Sequence, residues 1–83
     1  MLAEQDGDMA TARSDFSRAV STYAALGVIP DEAYALAGLG RCMLALGETE
    51  EGAARLREAR ELWVGLKATP RIAEIDALLA TVA

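Results

Sequence analysis

Residues 30–70 read PDEAYALAGLGRCMLALGETEEGAARLREARELWVGLKATP, two apolar periodicities held between two prolines. In the first half Ala33, Leu36, Leu39, Gly40, Met43 and Leu46 recur at three- and four-residue spacings, which predicts a helix from Pro30 to Leu46. Ala35 and Cys42 border a second apolar face, as expected of a helix sandwiched between neighbours. Gly47 then closes that helix, because a left-handed residue after the last turn is cheap only for glycine. Thr49 is expected to cap a second helix, Thr49 to Leu66, whose stripe is Gly52, Ala53, Leu56, Ala59, Trp63 and Leu66. Thr69 and Pro70 repeat the start signal, a hydroxyl cap followed by a proline whose missing N–H costs nothing there.

Outward from this stretch the same pattern recurs at a shift of forty residues. Gly7 falls on Gly47, Ala19 on Ala59, Leu26 on Leu66, Pro30 on Pro70, Ala33 on Ala73, Ala37 on Ala77 and Leu39 on Leu79. Phe16 with Leu56, Tyr23 with Trp63 and Gly40 with Ala80 are conservative matches in the same register. An ordered set that includes the helix-closing glycine and the helix-opening proline is an internal repeat. It places a further helix over Asp8 to Leu26, with the stripe Met9, Ala12, Phe16, Ala19, Val20, Tyr23 and Leu26. A last helix runs from Pro70 to about Val82, apolar on the single face Ile72, Ile75, Leu79 and Val82, as an end cap would be. The expected fold class is therefore all-α: four antiparallel helices in helix-turn-helix repeats, one domain over 1–83. It divides into a partial repeat 1–29, a complete repeat 30–69 and a capping helix 70–83.

Composition narrows the function. With 83 residues the chain builds one modest core, burying roughly two-thirds of its unfolded surface. The hydrophobic fraction is 53 %, but Phe16, Tyr23, Tyr34 and Trp63 are its only aromatics, so alanine and leucine carry it, a composition of closely packed helices. A net charge of −5 argues against nucleic acid as a partner. One cysteine excludes an intramolecular disulfide, and no apolar run approaches the ~20 residues of a membrane span. The N-terminus MLAEQDGD has no secretory pattern, so a cytoplasmic chain with no membrane contact is expected. Arginine outnumbers lysine seven to one, a composition found in GC-rich bacterial genomes.

The complete repeat, Leu39-Gly40, Gly47, Gly52, Leu56 and Ala59 with Pro70 opening the next unit, resembles the tetratricopeptide repeats. Its forty-residue period is longer than the usual one and is similar to repeats in the C-terminal regions of large bacterial regulators of the MalT or actinobacterial type. Gly52 in place of alanine and Asp76 in place of an apolar residue such as Leu36 depart from the pattern. The resemblance implies an α-solenoid fragment that binds a peptide or a partner helix on the concave face of its first helices. It carries the groove positions onto Glu4, Gln5, Tyr34, Ala37, Arg41, Leu44, Glu74 and Thr81, with Arg41 as the groove's only cation. The Lys and Asn clamp that some members use for a C-terminal carboxylate is absent, since Ala37 and Arg41 stand where Asn would.

Catalysis finds no support. Without histidine, Ser-His-Asp, Cys-His and imidazole-metal sites are excluded, and neither cofactor nor metal is expected. Glu48, Glu50 and Glu51 read as charges at a helix N-terminus rather than cation ligands. Gly38 and Gly40 lie within a helical pattern with no strand before them, unlike a nucleotide loop, and Gly40 reads as a close-packing residue. Cys42 and Trp63 fall on apolar stripes and are expected in the core, and Glu51–Arg55 and Arg57–Glu61 are expected as ion pairs on a solvated face. The alternative to partner binding is self-association. Met1 to Gln5 supplies barely one turn of a preceding helix, so Met9, Ala12, Phe16 and Val20 are expected to form an open patch that a second copy covers, giving a homo-oligomer.

Overall fold

The computed structural model describes residues 8–82. They form four helices: α1 Met9–Leu26, α2 Ile29–Ala45, α3 Thr49–Gly65 and α4 Thr69–Ala80. Each packs on the next in chain order, α1 on α2, α2 on α3 and α3 on α4, so the architecture is a stack of antiparallel helical hairpins.

The ends follow from local chemistry. Asp8 precedes α1 and accepts hydrogen bonds from the Thr11 backbone N–H at 3.0 Å and the Thr11 hydroxyl at 2.6 Å. These two bonds favour the ionised carboxylate and hold the Asp8 carboxyl below its usual range. Gly27 and Gly47 close α1 and the α2–α3 turn with φ of +73° and +86°. Lys67 takes the same left-handed conformation, φ +56°, at the position forty residues after Gly27. The expected hydroxyl caps do not form. α3 and α4 each begin one residue earlier, with Glu48 and Ala68 as N-caps, so Thr49 and Thr69 are already helical and their hydroxyls bond no orphan N–H.

The central helix is buried on two sides, as its periodicity predicts. Ala33, Ala35, Leu36, Gly38, Leu39, Gly40, Cys42 and Met43 are all buried. Its α3 side joins Ala33 and Leu36 to Leu56, Ala59, Trp63 and Ile75 in one core cluster, with Val20, Ile72, Leu78 and Leu79 packed around it. Cys42 and Trp63 are thus core residues. At Gly40 the two backbones come together: a Cβ there would stand 2.8 Å from Leu56 Cγ and 2.9 Å from the Gly52 carbonyl oxygen.

The other side of α2 receives α1, which covers part of the stripe expected to form an open patch. Ala12 is 4 % exposed and Met9, Phe16 and Val20 are half-buried. The Phe16 ring lies over Gly38, where a Cβ would stand 2.5 Å from Cε1. Gly38 is what makes room for the ring, so the stripe offered for self-association also holds α1 to α2. In the second hairpin the equivalent positions are Leu56 and Leu78, a large and small pair exchanged for two of middle size. The surface ion pairs also differ from the helical spacings: Arg55 meets Glu58, Arg71 meets Glu74, Arg60 meets Asp76 at 2.7 Å and Arg13 meets Glu48 at 2.6 Å. Neither Glu51–Arg55 nor Arg57–Glu61 forms; Arg55 pairs instead with Glu58, one turn ahead.

Candidate functional site

α2 and α4 both pack on α3, and the flanks they leave exposed bound an open groove of about 690 Å³. Tyr34, Ala37 and Arg41 line one wall from α2, and Arg71, Glu74, Ile75, Ala77, Leu78 and Thr81 line the other from α4. The two walls are built from equivalent repeat positions, Tyr34 facing the place of Glu74, Ala37 that of Ala77 and Arg41 that of Thr81. A recess of about 50 Å³ lies within it, reaching Trp63 and Ile75. That volume is far below the roughly 300 Å³ at which small-molecule sites begin, so the recess by itself is no ligand cavity.

Five of the expected groove positions are therefore brought together: Tyr34, Ala37, Arg41, Glu74 and Thr81. Leu44 is not among them. Its Cδ2 lies 2.9 Å from where a Gly52 Cβ would be, so it fills the space that Gly52 leaves on α3. Glu4 and Gln5 lie outside the described residues.

Arg71 is the groove residue that sequence reasoning missed, and it corrects the expectation that Arg41 is the cation there alone. Its guanidinium stands 5.9 Å from the Tyr34 ring and 6.0 Å from the Trp63 ring, at the outer limit of cation–π attraction. Its Nη1 donates to Glu74 Oε1 at 3.2 Å. One signal pointed to it: a cation in the first turn of α4 opposes the positive end of the helix dipole, so a tertiary role is the reason to have it there.

The groove holds two guanidiniums, one carboxylate, a phenol and a floor of small and aliphatic side chains. Among the described residues no three of His, Cys, Asp and Glu converge as metal ligands would. A second depression, about 320 Å³, is lined by Asp15, Arg18, Ala19, Thr22 and Tyr23, all on α1, and is the relief of a single helix face. No helix among the described residues is long and apolar enough to cross a membrane. Comparison with protein-family models, with curated proteins and with solved structures gives no match to this chain.

Proposed function

We propose that the chain is a protein-interaction module of the tetratricopeptide-repeat type that binds a peptide or helix of a partner in the α2–α4 groove and carries out no catalysis. The observation that carries this reading is the convergence of repeat-equivalent residues, Tyr34, Ala37 and Arg41 with Glu74, Ala77 and Thr81, on one open groove. Tyr34 supports it further, since its ring is 57 % exposed beside that groove and tyrosine is a frequent anchor of interfaces. The forty-residue period and the arginine-rich composition favour a place in a bacterial regulatory protein, in the cytoplasm. Peptides selected from a random library on the full chain should lose binding when Tyr34→Ala and Arg41→Glu are combined. Binding that survives both substitutions would move the site elsewhere.

Self-association is the second reading, and one observation favours it. Leu26, Val28 and Ile29 at the α1–α2 turn, and Val64 and Leu66 before the α3–α4 turn, are all exposed, and an antiparallel stack brings both turns to the same end. Sedimentation across a range of concentrations separates the readings: a monomer at high micromolar concentration leaves partner binding alone.

A further inference from the structure

Resting on the second of these readings, self-association, we infer that two copies of the chain meet end to end, the α1–α2 turn of each set against the α3–α4 turn of the other. The two turns hold equivalent places in the repeat and lie at the same end of the stack. Leu26, Val28 and Ile29 stay exposed at the first and Val64 and Leu66 at the second, Leu26 the most open of them at 69 %. That end therefore carries apolar contact area at both turns. Charge selects what covers it. Asp31 and Glu32 stand in the first turn of α2, beside the α1–α2 turn. The α3–α4 turn carries Lys67, the chain's only lysine, and at the place of Asp31 it has Arg71, whose charge Glu74 offsets. Asp31, Glu32 and Lys67 enter none of the ion pairs among the described residues. One turn is thus anionic and its repeat equivalent cationic.

A two-fold axis lying in that end, across the line between the turns, lays each acidic turn on the lysine of the other copy and makes the contact twice. An axis along the line would set like charge on like, which electrostatics opposes. Lys67 makes the sharper argument. Its left-handed backbone, φ +56°, is one that an L side chain adopts at a cost, and Gly27 avoids that cost at the equivalent place. No ion pair within the described residues accounts for the lysine, whereas a carboxylate of a second copy does. The net charge of −5 works against association in general, so local pairing is what singles out this end. Interfaces of standard size use roughly 20–30 residues a side, so two turns make a weak dimer that forms at high protein concentration.

The test is sedimentation of the full chain and of two charge-reversed variants, Lys67→Glu and Asp31→Lys with Glu32→Lys, alone and mixed, with helicity checked by circular dichroism. The wild-type chain should dimerise at high micromolar concentration. Each variant alone should associate about tenfold or more weakly, since like charges then face each other at both contacts. An equimolar mixture should recover the wild-type affinity: the reversed lysine of one chain meets the reversed acids of the other, and the unreversed groups pair as before. Leu26→Ser, at a position already open to solvent, should weaken the wild-type dimer too, and it decides the matter by itself if the doubly substituted start of α2 fails to fold. Undiminished dimers of Lys67→Glu or Leu26→Ser, or a mixture of folded variants that does not recover, would overturn the inference and leave self-association standing on another face. A wild-type chain that stays monomeric throughout would overturn both.

Discussion

A Cβ on Gly40 would stand 2.9 Å from the carbonyl oxygen of Gly52, and a Cβ on Gly52 would stand 2.9 Å from the carbonyl oxygen of Gly40. The two glycines face each other across the α2–α3 contact, each removing the side chain that would push the other's backbone away. Opposed to this is the ordinary gain of about 0.5–1 kcal/mol when alanine replaces glycine inside a helix. Gly40→Ala should nonetheless destabilise the fold, since the obstructing atom is backbone, and Gly40→Leu should cost ~1–3 kcal/mol in urea unfolding. Gly65→Ala is the control: nothing lies within 4 Å of its Cβ, and it should stabilise slightly. Equal stability of wild type and Gly40→Ala would mean that accommodating the Cβ costs no more than that helical gain, about 0.5–1 kcal/mol.

Lys67 stands where the first hairpin has Gly27, and it keeps the left-handed backbone at φ +56°. An L side chain in that region costs roughly 1–2 kcal/mol. Lys67→Gly should therefore raise the stability by about 1 kcal/mol, read as a shift of the urea midpoint at unchanged slope. A lowered midpoint would show that the lysine side chain contributes more than its backbone costs.

How much of this was legible in the sequence depends on the range of each interaction. The four helices and their ends lie within a residue or two of the periodic stripes because Gly47, Pro30 and Pro70 act locally. Gly40 was legible too, since a glycine inside an apolar stripe has few uses but close packing. The groove positions came with the family resemblance, and Leu44 shows its limit: Gly52 departs from that pattern, and the vacant volume draws Leu44 to α3. Arg71 was hidden because its value arises from Tyr34 and Trp63 on two other helices, and its repeat equivalent, Asp31, shares none of it. Gly38 was hidden for a similar reason. Only the packed hairpin reveals that its missing side chain is the seat of Phe16.

That seat predicts a coupling. Gly38→Leu alone overpacks the α1–α2 contact and Phe16→Leu alone leaves it loose, each a loss of stability. Together they reproduce the Leu56 and Leu78 arrangement of the second hairpin, so the double variant should be more stable than the sum of the single losses by about 0.5–3 kcal/mol. Additive losses from a double-mutant cycle would show that the two hairpins do not share a packing geometry.

Asp8 gives α1 a dependence on pH with a definite sign. Its carboxyl is lowered from 3.8 in the folded chain by the two Thr11 hydrogen bonds, so the unfolded state takes up the proton first. The capping stability is therefore present above the unfolded value and is lost as the pH falls through the folded one. Asp8→Asn keeps an acceptor for the Thr11 N–H but does not titrate. Below pH 3.8 the wild type should lose more helix than Asp8→Asn, by circular dichroism. Parallel acid curves would remove Asp8 from the account.

Arg60 and Asp76 occupy, in the second hairpin, the positions that Val20 and Leu36 hold in the first. Leu36 belongs to the core cluster and Val20 packs on it, whereas Arg60 and Asp76 meet as an ion pair at 2.7 Å with their side chains 41 % and 50 % exposed. The change of chemistry follows the change of surroundings: α2 lies between α1 and α3, whereas α4 packs mainly on α3 and no further helix among the described residues follows it. A carboxylate at the Leu36 position keeps this face of α4 wetted, because covering it with another helix would bury a charge. Arg60→Val with Asp76→Leu should therefore leave the hairpin folded, since an exposed ion pair contributes little, and should join two apolar side chains to Ile72 and Leu79 beside them. The double variant should self-associate at concentrations where the parent does not, by a patch meeting its own copy or the α1 face of another. Sedimentation of both chains at matched concentrations decides it, and identical profiles with undiminished helicity would show that the Arg60–Asp76 pair has no part in keeping this face open.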